Sequence, residues 1–467
     1  MGRPEPMRRV LSTIGLLALL GGCALTPDYE RAQVRPPEAW RQSDVEGESI
    51  ANLPWWELYE DRALQALVLA ALDRNRDLAV AMARMEESRH LVTFTMADQY
   101  PFLTGGVSGS RGQFLPGRGV RNAFNVGASL SFEVDLWRKF ARATEGAQSD
   151  LLSSEATYRN VTILLVSSVA TTYLQLRDLD ARLATSERTA VGRRESLRII
   201  TARFDKGTVA EIDVNQAQIQ LAIAEAAVAS FGRQVVQLEN ALRVLIGAYP
   251  GAIPRGASLA SQQLPPDVPA GLPSELLERR PDVVAAEQIL IAETARIGVA
   301  EALRYPSITL TGSVSAIASE LTDINTNEAK AWDIAAGVFQ PIFNSGQLRA
   351  QARAQHERAE QAFHAYVEAL QIAFREVEDS LVAVRAFREE HAARARQVVA
   401  ARNAARLSRA RYDAGVVDYL EVLDTERTLF EAELDESATR QASLVSVVQL
   451  YKALGGGWSP EEPTTVP

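Results

Sequence analysis

Strict alternation of apolar and polar or small residues marks several short stretches of the chain. From Ala123 to Leu136, apolar residues occupy every second position, and polar or small residues fill the positions between them. A period of two is typical of strands with one apolar and one polar face. The other such stretches are 103–110, 307–316 and 332–343. The pattern therefore predicts two strand hairpins, at about 102–136 and 307–343.

Long stretches without proline separate these strands. Proline is absent from Arg138 to Lys206 and from Asn344 to Ala414, which predicts two helices of about 100 Å at about 1.5 Å per residue. A further helix is predicted from Trp56 to Asp98, where leucine, valine and alanine recur at helical spacing and Pro101 follows. Helices of this length need packing partners along their whole extent.

The chain contains an internal repeat. The segment Ala202-Arg203-Phe204-Asp205-Lys206-Gly207 returns 208 residues later as Ala410-Arg411-Tyr412-Asp413-Ala414-Gly415. The match continues without insertion to Gly247 and Gly455, and an echo at an offset of 205 joins Tyr100-Pro101 to Tyr305-Pro306. Each copy is predicted to end in a helical hairpin whose tip, at Gly207 or Gly415, uses glycine to turn one helix into the next.

The predicted organisation follows from these patterns, from the proline-rich stretches and from an amino-terminal signal with a resemblance to a lipobox, both of which are described in the next paragraph. A signal peptide (1–22) precedes a lipidated tether (23–55), a first repeat (56–248), a proline and glycine linker (249–273), a second repeat (274–455) and a C-terminal tail (456–467).

The amino terminus has the order of a secretory signal. Basic residues precede the short apolar run Val10 to Leu20, and Gly21-Gly22-Cys23 follows, with Met7 as an alternative start. Cys23 is the only cysteine, and its position resembles a bacterial lipobox. That resemblance implies an S-diacylglycerol and an N-palmitoyl group on Cys23, and Ala24 favours the outer membrane. The alternative is an ordinary signal peptide with an incidental cysteine.

Composition and motifs narrow the function. A net charge of −10 makes nucleic acid a poor partner. No P-loop, nucleophile elbow or dinucleotide fingerprint occurs, so we expect neither an enzyme nor a cofactor beyond the lipid, and energy must come from a partner protein. His356, Glu360 and His364 lie one turn apart and form a possible metal set, but a solvated helix face is the preferred interpretation, and no metal is predicted.

Four amphipathic strands per chain suggest a membrane sheet. Such a sheet must close, because lipid leaves unpaired backbone groups unsatisfied. Two chains would give eight strands around a filled lumen, whereas three would give twelve strands around a pore. The alternative is a soluble sheet flanked by helices.

Several short motifs resemble those of the TolC/NodT-type outer-membrane factor lipoproteins, over essentially all of the mature chain. They are Trp55-Trp56, Arg280-Pro281-Asp282, Tyr305-Pro306-Ser307, Gly415, Leu423-Asp424 and Tyr451-Lys452-Ala453-Leu454-Gly455-Gly456-Gly457-Trp458. The resemblance implies an α+β membrane protein: a homotrimer whose twelve-stranded outer-membrane barrel continues into a long periplasmic helical barrel.

The same resemblance implies the exit duct of a tripartite efflux pump, which passively exports drugs or toxic compounds and contributes to antibiotic resistance. Its partners would be a periplasmic adaptor (membrane fusion protein) and an inner-membrane RND-type pump. Metal efflux and type I protein secretion remain alternatives. Two further alternatives are a periplasmic adaptor-like protein and a coiled-coil envelope scaffold. An adaptor carries a single hairpin, however, and a scaffold would not explain the predicted strands.

The hairpin tips are the predicted docking surface for the adaptor. They consist of Gly207, Thr208 and Val209 in the first repeat and Gly415, Val416 and Val417 in the second. Tips and strand loops lie at opposite ends of the long helices, so the loops 112–121 and 317–330 are predicted to face outside the cell and the tips to face the periplasm.

A periplasmic gate is predicted just after the second tip. Leu420, Asp424 and Arg427 share one helix face, and Glu421 lies beside them. With threefold symmetry, Asp424 would form an acidic ring that favours cations, and whether Glu421 adds a second ring stays open. By resemblance, Leu420 and Asp424 match gate positions, while Tyr412 and Asp213 match a pair that ties the inner hairpin to its neighbour in the closed state. An ordinary charged helix face is the alternative.

Overall fold

A computed structural model describes residues 29–31, 37, 40–41, 61–113, 119–262 and 276–456. The predicted signal peptide, Cys23 and most of the tether lie outside these residues, as do 114–118, 263–275 and the tail from 457 onward. The described helices are α1 (Arg62–Arg74), α2 (Arg76–Ala97), α3 (Lys139–Asp205), α4 (Glu211–Leu245), α5 (Leu276–Arg279), α6 (Pro281–Ala302), α7 (Gln347–Asp413) and α8 (Tyr419–Ala453). The strands are β1 (Phe102–Gly112), β2 (Arg121–Val134), β3 (Ser307–Ala318) and β4 (Lys330–Phe339).

The four strands form one antiparallel sheet in the order β1-β2-β3-β4. Its register places like residues side by side: Leu103 pairs with Leu130, and Leu130 pairs with Gly312. One face is therefore apolar and the other is polar, as the alternation predicts. The outer edges of β1 and β4 pair with no strand in the described chain.

The chain divides into two compact units that do not follow the repeat boundaries. Among the described residues, one unit contains the sheet and lies within 29–31, 84–155 and 285–368, and the other lies within 37–83, 156–284 and 369–456. Each unit thus draws on both repeats, because the strands of one repeat pair with those of the other.

In the unit that contains the sheet, tight turns convert strand into helix. Asp135 accepts hydrogen bonds from the N–H groups of Phe140 (3.1 Å) and Ala141 (2.9 Å), which caps α3. The Trp137 indole donates to the Pro306 carbonyl over 2.7 Å, which fastens this turn to the start of β3.

In the other unit, a large apolar core packs α1 against the middle of α3 and the C-terminal parts of α4 and α8, with Leu64, Leu174, Leu242 and Leu444 almost fully buried. Asp61 begins α1 and lies beside this core. Its carboxylate accepts hydrogen bonds from the Ala63 N–H, the Tyr173 hydroxyl (3.0 Å) and the Gln262 amide (2.7 Å). A buried carboxylate with this many donors is satisfied, so Asp61 stabilises the junction of chain segments distant in sequence.

The helix predicted from 56 to 98 differs from the structure, which places a break at Asn75 between α1 and α2. Asn75 adopts an extended backbone (φ −62°, ψ 134°), and its side chain accepts the Leu78 N–H at 3.0 Å. Its amide also donates to the Leu245 carbonyl at the end of α4, over 2.9 Å. The break exists because one asparagine caps two helix ends at once.

Arg280 breaks the corresponding helix of the second repeat, between α5 and α6. It donates to the Ala453 carbonyl at the end of α8 (3.1 Å) and pairs with Asp282 (2.6 Å) and Glu376 (2.8 Å). Its position relative to α8 matches that of Asn75 relative to α4.

None of the described helices combines the length and the hydrophobicity needed to cross a membrane.

Candidate functional site

The two hairpin tips have the same backbone geometry. Helix α3 ends at Asp205, Gly207 has a φ of +71°, and the Thr208 N–H donates to the Arg203 carbonyl over 3.0 Å. In the second tip, Gly415 has a φ of +73°, and the Val416 N–H donates to the Arg411 carbonyl over 2.9 Å. This left-handed cap is the one that glycine adopts most easily, so the repeated glycines have a local structural reason.

The predicted docking residues lie mostly at the surface of these tips. A Cβ added at Gly207 or Gly415 would meet no atom within 4 Å, and Val416 is 66% exposed. Thr208 is exposed and donates from its hydroxyl to the Arg203 carbonyl (2.9 Å), whereas Val209 and Val417 are half-buried. The tips therefore present open backbone beside short side chains.

Both hairpins share a small core just behind the tips, which we call the tip cluster. It is built from Ile200, Ala217, Tyr419, Val422 and Leu423, with Leu197, Val209, Val214 and Tyr412 packed against it. Because the cluster joins residues of α3, α4 and α8, movement of one hairpin at the tip requires repacking of the other.

Tyr412 and Asp213, the pair predicted to join hairpins, are not bonded to each other within the chain. The Tyr412 ring lies 5.3 Å from Tyr419 and 5.1 Å from the Arg203 guanidinium, and its buried hydroxyl has no partner among the described residues. Asp213 instead accepts the Ala210 N–H at 3.2 Å, because it occupies the first turn of α4.

The predicted gate residues form an exposed face at the start of α8. Leu420 is 61% exposed, and Asp424 pairs with Arg427 over 2.8 Å, which offsets part of its charge. Glu421 points elsewhere and pairs with Arg411 over 2.8 Å. Within one chain, Asp424 is thus the more available of the two carboxylates.

Sequence reasoning missed a group of charges behind the tip cluster, in which Arg193 is buried and Glu426 and Arg409 are half-buried. Arg193 is only 5% exposed, lies 5.0 Å from the Phe430 ring and donates through Nη1 to the Gln220 carbonyl over 2.7 Å. Its Nη2 has no hydrogen-bond partner among the described residues. Glu426 lies 3.7 Å from Arg409.

Burial has the largest influence on the pKa values of this group. It lowers the pKa of Arg193 and raises that of Glu426, and burial together with the Glu426 charge raises the pKa of Tyr419 to about 12. The repeat alignment carried a signal for these residues, since Arg193 and Glu426 stand where the other copy has Ala401 and Gln218.

The three residues of the possible metal set are not brought together. His364 faces Glu360 at 3.4 Å, whereas His356 faces Glu301 at 3.9 Å. Across the described ranges, no group of three or more histidine, cysteine or acidic residues is arranged to hold a metal ion.

Comparison with known proteins shows which family has this architecture. The family model described as outer membrane efflux protein matches residues 67–248 and 272–456, which is most of the chain. The chain belongs to the outer membrane efflux protein family. The model matches each repeat separately, with the gap falling in the proline and glycine linker.

Individual members of the outer membrane efflux protein family match along almost the whole chain. The solvent efflux pump outer membrane protein SrpC of Pseudomonas putida is 36% identical over 457 residues, which cover 95% of this chain and 97% of the relative. The cation efflux system protein CusC of Escherichia coli K12 is 32% identical over 444 residues, or 94% and 97% of the two chains. The solved open state of the MtrE outer membrane channel of Neisseria gonorrhoeae superposes with a TM-score of 0.85 at 31% identity, covering 93% of this chain and 98% of that one.

Membership of this family confirms the predicted fold class, a trimeric twelve-stranded barrel to which each chain gives four strands and two helical hairpins. It also confirms the predicted function as an efflux channel and the predicted location in the outer membrane. The roles of individual residues at the tips, at the gate and at Cys23 stay predictions.

Proposed function

We propose that three copies of this chain form the exit duct of a tripartite pump that expels small toxic organic molecules. The observation that carries the proposal is the sheet, which has one apolar face and two edges that pair with no strand among the described residues. Free edges cannot stay open in lipid, so β4 of one protomer pairs with β1 of the next. The name of the SrpC relative, a solvent efflux protein, favours organic cargo, whereas that of CusC, a cation efflux protein, keeps metal ions as the rival cargo.

Growth of a strain that lacks its own exit ducts tests the cargo. Expression of this chain together with its adaptor and pump should restore tolerance to toluene and to lipophilic antibiotics. Tolerance restored only to copper or silver salts would overturn the organic cargo and favour the metal alternative.

The tips Gly207, Thr208, Val209, Gly415, Val416 and Val417 are proposed to seat a periplasmic adaptor, which links the channel to an inner-membrane RND-type pump. Support comes from the open space around both glycines and from the short side chains that flank them. Val416→Asp should abolish export while trimers persist, because Val416 is exposed and contributes little to the core. Val244→Asp, at an equally exposed valine (68%) away from the tips, is the matched control. Equal export by both variants would remove the docking role.

The start of α8 is proposed to form the closed gate, with Leu420, Asp424 and Arg427 in its rings and Glu421 held aside by Arg411. By resemblance to the family, we assign Asp213 of the neighbouring protomer as the acceptor of the Tyr412 hydroxyl. This hydroxyl is buried without a partner within the described chain, so the contact requires it to turn towards the neighbour. Tyr412→Phe combined with Asp424→Ala should increase single-channel conductance in planar bilayers severalfold. Conductance equal to that of the wild type would leave the gate without support.

Cys23, which lies outside the described residues, is proposed to carry the lipid anchor. Cys23→Ser should yield an unprocessed or lipid-free protein, measured by mass spectrometry and by metabolic labelling with palmitate. Unchanged mass and labelling would exclude the anchor.

A further inference from the structure

A row of polar side chains crosses all four strands at one register. Thr104 pairs with Ser129, Ser129 with Ser313, and Ser313 with Asp333. The Thr104 and Ser129 hydroxyls lie 2.7 Å apart, and the Ser313 hydroxyl donates to Asp333 Oδ1. Because register fixes the face, all four side chains lie on the polar side of the sheet.

Asp333 differs from the other charges on that face. Arg121 is the first residue of β2 and lies at the strand end, and Glu133 is bound to Lys139. Asp333 lies within β4, is exposed, and has no cationic side chain at ion-pair distance in the described part of the chain. Among the described strand residues, Asp333 is therefore the acidic side chain of the polar face that has no ion-pair partner.

An unpaired carboxylate at this depth requires water. A charge that faced lipid near the middle of a strand would destabilise the barrel, by about 2–4 kcal/mol for lysine or arginine and by less for aspartate, whereas lumen positions accept polar residues freely. The opposite face carries Val126, Leu130, Val314 and Ile334, which suit lipid contact. Asp333 therefore faces the lumen of the closed barrel.

We propose, building on the trimeric channel above, that three Asp333 carboxylates form an acidic ring inside the barrel that makes the lumen selective for cations. Threefold symmetry places the three carboxylates at one height. Rings of fixed acidic side chains attract cations and repel anions as they pass, so Asp333 determines which charged solutes pass most easily.

The hydroxyl row gives this ring its geometry. The Ser313 hydroxyl donates a hydrogen bond to the Asp333 carboxylate, which acts as an acceptor only. The carboxylate therefore keeps its negative charge. The other carboxylate oxygen, Oδ2, has no hydrogen bond to any described residue and is available to passing cations. Ser129, in the same row, offers a second position for a carboxylate on the lumen face.

Reversal potentials of purified trimers in planar bilayers, under a potassium chloride gradient, test the ring. We expect Asp333→Asn to lower the permeability ratio of potassium to chloride by about threefold and Asp333→Lys to reverse the preference. The effect should fade with salt, since the screening length falls from about 10 Å at 0.1 M to about 3 Å at 1 M. All variants are compared in an Asp424→Asn background, so that the gate contributes no acidic ring from that position.

Two further variants separate charge from structure. Ser313→Ala removes the hydrogen bond but keeps the carboxylate, so the preference for potassium should remain. Adding Ser129→Asp to Asp333→Asn restores one carboxylate per protomer in the same row, and it should restore the preference. A merely structural role of Asp333 predicts neither result.

Each outcome bears on one claim. Wild-type conductance that prefers chloride, or an Asp333→Asn channel with unchanged selectivity, overturns the ring while the channel stands. Trimers that insert without any conductance, even with the gate opened by Tyr412→Phe and Asp424→Ala, overturn the proposed channel and the ring with it.

Discussion

We call the end of each helical hairpin that lies opposite its tip the root; there the return helix, α4 or α8, ends beside a helix break. The first repeat has Asn75 at this break, and the second has Arg280. Asn75 donates to the Leu245 carbonyl and Arg280 to the Ala453 carbonyl, at equivalent ends of α4 and α8. The arginine also binds Asp282 and Glu376, whereas the asparagine needs no charged partner. What both copies retain is the need to satisfy a terminal carbonyl of the return helix that has no partner within that helix, and the side chain that binds it has diverged.

Backbone geometry is shared more closely than side chains. Gly247 and Gly455 have φ values of +68° and +71°, and both lie against the helix break of their own repeat. The ion pairs Arg194–Glu225 (2.6 Å) and Arg402–Glu433 (2.8 Å) are also equivalent across the two copies. The duplicated chain therefore preserved its turns while its buried charges changed.

The largest expected effect distinguishes the two roots. Arg280→Ala should lower the free energy of unfolding by about 3–5 kcal/mol, because it leaves two carboxylates near a buried site without their cation. Asn75→Ala should cost about 1–3 kcal/mol, since only neutral groups lose partners. Thermal unfolding of detergent-solubilised trimers, followed by helix circular dichroism, measures both. Equal losses would show that the arginine network adds nothing beyond the shared carbonyl contact.

The second root should also respond to acid. Burial alone would raise the pKa of Asp282, but the hydrogen bond and charge of Arg280 outweigh it and hold this pKa below its ordinary value. A carboxylate with a lowered pKa stabilises the fold above its unfolded pKa of about 4 and loses that contribution as the pH falls through its folded value. Wild-type unfolding temperature should therefore drop below about pH 4, and Asp282→Asn should reduce that dependence. An unchanged acid response in the variant would contradict this assignment.

The next largest expected effect is a difference in stability between alanine variants of Gly247 and Gly455, the glycines at the two roots. At Gly247 a Cβ would lie 2.3 Å from the Arg74 carbonyl oxygen, whereas at Gly455 the nearest atom, the Arg279 carbonyl oxygen, is 3.1 Å away. Gly247→Ala should therefore destabilise by about 3 kcal/mol or more, from overpacking and the left-handed backbone together, and Gly455→Ala by about half as much. The same unfolding assay ranks them, and a reversed order would mean that the first root relaxes more easily than its contacts suggest.

At the tips, the glycines should matter less. Gly207→Ala and Gly415→Ala meet no neighbouring atom, so only the left-handed backbone costs energy, about 1–2 kcal/mol each. Any larger loss of export than of stability would reflect the adaptor, and export assays beside the unfolding curves separate the two. Asparagine, which tolerates this backbone better, is the matched variant at each site.

The smallest effect concerns the equivalent ion pairs. Arg194→Ala and Arg402→Ala should each cost less than about 1 kcal/mol, because water and salt screen exposed pairs. Arg402→Ala should lower the free energy of unfolding slightly more than Arg194→Ala, because the side chain of its partner Glu433 is 21% exposed whereas that of Glu225 is 50% exposed. Loss well beyond this limit at either site would indicate a role in holding the hairpin together.

Strand periodicity and repeat matching predicted most of the fold. The alternation near Ala123 and Ser307 located the strands, and proline-free runs bounded both long helices to within a few residues. The break at Asn75 was not predicted, because a single asparagine inside a helical pattern carries no distinctive local signal. Besides its local cap on α2, Asn75 binds the carbonyl of Leu245, which lies 170 positions away along the chain and could not be inferred from the local pattern.

Site residues were predicted less completely. Glycines at the tips could be found because the backbone turn demands them, and their φ values agree. Arg193 and Asp333 could not be assigned, since burial depends on tertiary packing and the place of a strand residue depends on register. The proposed contact of Tyr412 with Asp213 would involve a second protomer, which periodicity within one chain cannot reveal.

Matching lengths in the two repeats limit how this protein can evolve. Helices α3 and α7 each contain 67 residues, and α4 and α8 each contain 35. An insertion in one long helix alone would shift its tip by about 1.5 Å per residue and turn its apolar stripe by about 100°. The shared tip cluster would then lose its register, so lengthening is tolerated only as a paired event in both copies. Engineered ducts of new length should accordingly be built by inserting whole numbers of heptads at equivalent sites, 208 positions apart.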